Sequence, residues 1–194
     1  MNTKRSNFDA VLLNKRVYVF GGFENVNKFS NHLIEVCDFS NTNNLSAIKW
    51  KVINVNFPSL ASCRVLKLNQ QNNILLIGGC DENQIKKELY SFDTQKNEFK
   101  QLTCLDTPRA NFHTLNDKNE LFVIGGTFKN TNDVNNISTN YIEKIDMTTF
   151  KSSFVPFDQN IFLNNISLCV DNNDLTIISS EFGLPYFTSI QINA

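Results

Sequence analysis

The sequence predicts an all-β protein assembled from repeated four-stranded units, and three observations lead there. Six of the seven glycines stand as three pairs, Gly21-Gly22, Gly78-Gly79 and Gly125-Gly126, and each pair follows a four-residue apolar run. An apolar or aromatic residue followed by Asp recurs after each pair, at Cys37-Asp38, Phe92-Asp93 and Ile145-Asp146. The apolar segments are short, rich in Val, Ile and Phe, and bounded by Asn, Asp and Gly, while no window sustains the i, i+3, i+4, i+7 spacing of an amphipathic helix.

Each unit opens on a strand-like segment: Phe8 to Leu13, Ala61 to Leu68, Ala110 to Leu115, and Ile161 to Val170. The second strand is the apolar run: Val17 to Phe20, Ile74 to Ile77, Leu121 to Ile124, and Leu175 to Ile178. Glycine pairs end the first three runs, and Ser179-Ser180 stands in their place after the fourth, at spacings of 57, 47 and 54 residues. Paired glycines suit a strand end where the backbone is crowded or φ is positive, because a Cβ would clash there. The third strand ends on the Asp. Its carboxylate can accept from N–H groups two residues on and so close a hairpin. The fourth strand carries an aromatic, expected at Trp50, Phe99 and Phe150.

Unit boundaries follow as 8–57, 59–104 and 108–157, with a partial unit at 161–194 that lacks a fourth strand, and residues 1–7 read as an N-terminal tail. An Asn-rich insertion separates Asp38 from Trp50. A four-stranded repeat of about 50 residues is the signature of a propeller blade.

Composition removes several function classes. The formal net charge is -1, from 18 basic and 19 acidic residues, with no basic run. That argues against a nucleic-acid surface. No apolar stretch approaches the ~18 residues of a membrane helix, and no secretory signal opens the chain, so a cytoplasmic location without membrane partner is expected. The 30 Asn residues, with 14 Lys against 4 Arg, read as background bias rather than chemistry. Five cysteines, an odd number without C-x-x-C spacing, predict free thiols rather than a disulfide framework or zinc site.

The units resemble the kelch repeat, whose pattern is an apolar run, Gly-Gly, a later Tyr and Asp, then Trp. Thr107-Pro108-Arg109-Ala110-Asn111-Phe112-His113 leading to Leu121 through Gly126 matches best. Ile74 to Gly79, continuing through Leu89-Tyr90-Ser91-Phe92-Asp93 to Phe99, matches next. The sequence departs from the pattern in keeping only one Trp and a single Pro-Arg. The resemblance implies a kelch-type β-propeller of about three and a half four-stranded blades, incomplete or open. Such an arc is part of a longer protein, or it self-associates through its open edges.

The resemblance also implies a protein-interaction module for a peptide or protein partner, of the substrate-adaptor or cytoskeletal-scaffold kind. Contacts would come from the loops after Gly-Gly and from the Pro-Arg segment. Those are Phe23, Glu24 and Asn25; Asp81, Glu82 and Asn83; Phe128, Lys129 and Asn130; and Arg109 and Asn111. Phe23 and Phe128 would be apolar anchors, and Arg109 a carboxylate fork. No catalytic residue, metal set or cofactor is expected. His32 and His113 stand in no ligand or base spacing, and no nucleophile–base pattern surrounds Ser62 or Asp81. The alternatives are a fragment of a kelch-type oxidase or sugar-acid epimerase, or an assembly subunit working through its edges.

Overall fold

The short apolar runs form strands because β-branched and aromatic side chains fit a pleated surface that is at least half buried. The computed structural model describes residues 1–25, 28–29, 33–40, 48–55, 60–68, 72–129, 136–139, 141–156, 163, 166–171, 174–181 and 184–191. Every regular element among the described residues is a strand. The chain divides into two compact units, Met1–Ala110 and Asn111–Ala194.

The first unit begins with β1 (Asp9–Leu13), β2 (Arg16–Phe20), β3 (Phe23–Asn25), β4 (Lys28–Phe29), β5 (Leu33–Asp38) and β6 (Trp50–Asn54). Strands β1-β2-β5-β6 make one antiparallel sheet, and β3-β4 form a ribbon. The second sheet is a meander of β7 (Arg64–Lys67), β8 (Asn73–Cys80), β9 (Ile85–Asp93) and β10 (Glu98–Cys104). A single core joins the two sheets, with Tyr18, Phe20, Ile34 and Val36 from the first meeting Val65, Ile74, Leu76 and Phe92 from the second. Phe20 stands edge-on to Phe92 at 5.6 Å, and Phe92 tilts against Phe99 at 4.7 Å. Each fully buried side chain of this size contributes about 1.5–3 kcal/mol. The opposite face of β8 is buried as well, through Leu75 and Ile77, so the apolar run reads as continuous rather than alternating.

The two sheets approach each other along their first strands, β1 and β7. Matching places in the repeat touch where the Ser62 N–H donates to the Asn7 carbonyl at 2.9 Å, and Asn14 Nδ2, in the turn after β1, donates to Asn72 Oδ1 at 2.7 Å. A side-chain bond joins the strands, from the Val65 N–H to Asp9 Oδ2 at 2.8 Å.

The second unit repeats the plan. Its strands are β11 (His113–Asp117), β12 (Glu120–Ile124), β13 (Thr127–Lys129), β14 (Asn136–Ser138), β15 (Ile142–Asp146), β16 (Ser152–Val155), β17 (Ser167–Asp171), β18 (Asp174–Glu181) and β19 (Leu184–Gln191). Strands β11-β12-β15-β16 form a four-stranded sheet, β13-β14 a ribbon, and β17-β18-β19 a three-stranded sheet. Phe122, Ile124 and Ile142 of the former share a core with Leu175 and Ile177 of the latter.

The register shows how closely the sheets repeat. Arg16 lies opposite Asp38, Asn73 opposite Asp93, Glu120 opposite Asp146, and Asp174 opposite Gln191. The predicted Asp turns are present. Asp38 Oδ1 accepts from the Ser40 N–H at 2.8 Å, Asp93 Oδ1 from Gln95 at 2.8 Å, and Asp146 Oδ1 from Thr148 at 2.7 Å. The Ser40 hydroxyl and N–H with Arg16 at Asp38, the N–H groups of Lys96 and Gln95 at Asp93, and those of Thr149 and Thr148 at Asp146 hold all three carboxyls below the usual carboxylate range. The residue after each Asp then donates to the carbonyl just ahead of the second strand: Phe39 to Lys15, Thr94 to Asn72 and Met147 to Asn119.

One expectation is corrected. Phe150 does not take the aromatic place on a fourth strand; it sits in the turn before β16 with φ 57°, where Asn97 with φ 58° sits before β10. Ser152 lies opposite Ile145, the place Phe99 holds opposite Phe92. Within the N-terminal tail, Asn2, Thr3, Arg5 and Ser6 make bonds that are described next.

Candidate functional site

The glycine pairs are where lead-in segments cross the sheets backbone against backbone. A Cβ on Gly21 would lie 2.1 Å from the Leu60 carbonyl oxygen, and one on Gly125 would lie 2.3 Å from that of Leu163. Leu60 and Leu163 both precede the first strand of the following sheet. The second glycine meets the lead-in of its own sheet: a Cβ on Gly22 would be 2.6 Å from the Ser6 oxygen, and one on Gly79 would be 2.7 Å from the Ala61 oxygen. The crossings are hydrogen bonded. Gly22 N–H donates to Leu60 at 2.7 Å, Gly79 N–H donates to Arg109 at 3.0 Å, and Ser6 and Phe23 exchange bonds at 2.9 and 2.8 Å. With φ of 66° and 96° at Gly21 and Gly22, the chain turns there as only glycine does without strain.

A buried ion pair fastens the first of these crossings. Arg5 Nη2 reaches Glu35 Oε1 at 3.0 Å, with both side chains sealed from solvent. Arg5 Nη1 also donates to the Gly21 carbonyl at 3.0 Å. The Glu35 carboxylate accepts further from the Asn2 N–H and, at 3.1 Å, from the Thr3 N–H. Burial alone would raise the Glu35 carboxyl; the two N–H donors and the guanidinium outweigh it and hold the group low. Arg109 and Glu143 are also fully buried. Arg109 occupies the place of Arg5 ahead of the third sheet, and Glu143 the place of Glu35, three residues before the turn Asp.

Beyond each glycine pair a hairpin continues the sheet: β3-β4 in the first, the ends of β8 and β9 in the second, and β13-β14 in the third. These hairpins carry most of the expected contact residues. Glu24 and Asn25 are exposed on β3, whereas Phe23 is half-buried and paired with Phe29 and Ser6. Glu82 and Asn83 are exposed at the tip between β8 and β9.

Asp81 builds that tip. Its Oδ1 accepts from the N–H groups of Asn83 and Gln84 at 2.9 and 2.8 Å, and Lys86 Nζ lies 2.6 Å from its Oδ2. Partial burial opposes ionisation, but the Lys86 ammonium and the two N–H donors prevail and lower its carboxyl. Phe128 and Lys129 lie on β13 opposite Ile137 and Asn136. Asn130 lies outside the described residues. Asn111 is exposed at a positive-φ position, φ 55°, matching Asn7 and Ser62 ahead of their sheets.

Arg109 is the clear departure from the expected site. It has no exposed surface, so it cannot fork a partner's carboxylate. Its backbone joins the crossing instead, donating to Lys86 at 3.0 Å and accepting from Gly79.

Among the described residues, no three His, Cys, Asp or Glu side chains come together. Cys37, Cys63, Cys80 and Cys104 are free thiols. Burial pushes Cys63 up to about 12, which makes it a packing residue rather than a nucleophile. No helix among the described residues is long and apolar enough to cross a membrane. No protein-family model matches the chain.

Sequence reasoning missed the Arg5–Glu35 clasp. The signal was present, since Arg5-Ser6-Asn7-Phe8 repeats as Arg109-Ala110-Asn111-Phe112 ahead of another sheet.

Proposed function

We propose that this chain is a kelch-type propeller, or an arc of one, that binds a protein or peptide partner through the hairpins beyond its glycine pairs. The repeated hairpin is the observation that carries the reading. Three units in succession extend the same pair of strands past the glycines, and the first two end in exposed polar residues, Glu24 and Asn25, then Glu82 and Asn83. Loops held on a rigid β scaffold are where recognition is commonly built. Sheets that approach through matching places on their first strands support a propeller over an unrelated layering of the same hairpins. The free thiols suit a reducing, cytoplasmic setting.

The test is quantitative affinity capture with the wild type and with a variant carrying Glu24→Ala, Asn25→Ala, Glu82→Ala and Asn83→Ala. A partner held by the wild type and lost by a variant of unchanged melting temperature supports the proposal. Equal capture by both proteins refutes the role of these hairpins.

A further inference from the structure

The second hairpin is held at its base, along one strand and at its tip, and Lys86 takes part in the last two. At the base, Cys80 and Ala61 exchange backbone bonds at 2.8 and 2.9 Å, as Phe23 and Ser6 do in the first hairpin. Along β9 runs the lead-in of the third sheet. The Leu105 N–H donates to the Lys87 carbonyl at 2.7 Å, and the Arg109 N–H donates to the Lys86 carbonyl at 3.0 Å. Arg109 is sealed from solvent, so water does not compete for that bond. At the tip, the Asp81 N–H donates to the Gln84 carbonyl at 3.0 Å, and the Asp81 carboxylate accepts from the N–H groups of Asn83 and Gln84. Lys86 Nζ reaches the other carboxylate oxygen at 2.6 Å. The two side chains are only 19% and 17% exposed, so salt screens this pair less than an open surface pair. Lys86 therefore joins the lead-in, through its carbonyl, to the turn, through its ammonium. The turn carries Glu82, Asn83 and Gln84, all exposed.

We infer that Lys86 is a positioning residue, which fixes the hairpin tip in the shape that presents Glu82 and Asn83 to a partner. This inference rests on the partner-binding reading above and deepens it. A loop that is ordered before it binds loses less conformational freedom on binding, so the same contacts hold the partner more tightly. Lys86 acts through Asp81, onto which its ammonium is turned.

NMR on the whole chain tests the inference with Lys86→Met, which keeps the length of the side chain and removes its charge, and with Lys86→Arg, which keeps the charge. In Lys86→Met the Asn83 and Gln84 amides exchange about threefold faster or more, and the Asp81 carboxyl titrates at higher pH than in the wild type. The Cys80 and Arg109 amides keep their wild-type protection, which separates a loosened tip from a loosened sheet. Lys86→Arg restores the tip. In the capture assay above, Lys86→Met holds about threefold to tenfold less of the partner that the four-residue hairpin variant loses, and Lys86→Arg holds the wild-type amount. Unchanged exchange at Asn83 and Gln84 in Lys86→Met overturns the inference, as does a loosened tip that captures as much as the wild type. Equal capture by the wild type and the four-residue hairpin variant is a different result: it refutes the binding reading itself, and the positioning role falls with it.

Discussion

Replacing Glu35 by Ala removes the acceptor that holds the first lead-in segment in place. The Glu35 carboxylate takes bonds from Asn2, Thr3 and Arg5, and neither it nor the Arg5 side chain has exposed surface. Once it is gone, the buried Arg5 guanidinium loses its carboxylate while keeping the neutral Gly21 carbonyl as an acceptor. Breaking a buried pair by removing one member costs about 3–5 kcal/mol, a large part of the ~5–15 kcal/mol that holds a domain folded. Urea unfolding of Glu35→Ala shows that loss. Replacing both members with apolar residues of similar volume, Arg5→Met with Glu35→Leu, removes both desolvation penalties together. The double variant therefore comes out within about 2 kcal/mol of the wild type, far above the sum of the single losses. A Glu35→Ala loss under about 1 kcal/mol, or a double variant equal to the sum of the singles, refutes the clasp.

Three further outcomes follow from the same geometry. Gly79→Ala puts a methyl 2.7 Å from the Ala61 oxygen at φ 95° and lowers unfolding stability by about 2–5 kcal/mol, combining backbone strain with overpacking; urea titration measures it. Phe150→Asn relieves a left-handed aromatic at φ 57° and raises stability by about 0.5–1 kcal/mol, seen as a higher melting temperature. Glu35 is held below its ordinary range when folded, so its contribution is present above the unfolded value of ~4.3 and is lost as pH falls through the lower folded value. The stability gap between wild type and Glu35→Gln, measured in urea at a series of pH values, therefore closes below about pH 4; a gap that widens on acidification contradicts the sign.

Much of the fold was legible because the residues that signal it act locally. An apolar run such as Ile74 to Ile77, short and bounded by Asn and Gly, reads as a buried strand, and Asp93 closes its turn through N–H groups two and three residues on. The glycine pairs were legible as crowded positions, but not for what crowds them. The carbonyl against Gly21 belongs to Leu60, far along the chain, and no local pattern names it. Phe150 misled because an aromatic near an expected strand reads as part of it, whereas hairpin length places it in the turn. Of the expected site, Glu24, Asn25, Glu82, Asn83 and Asn111 reach the surface. Arg109 does not, because the lead-in position that makes an arginine recognisable in the repeat is also the position that is buried.

Amide hydrogen exchange at Gly22 and Gly79, followed residue by residue by NMR, tests the repeated crossing most directly. Both N–H groups lie beyond the apolar runs and bond to lead-in carbonyls, of Leu60 at 2.7 Å and of Arg109 at 3.0 Å. With those bonds in place, both N–H groups exchange as slowly as Leu76 and Phe20 in the adjoining strands. Exchange at the rate of open loops at these two glycines would show that no segment crosses there, and the repeat would not be built as described.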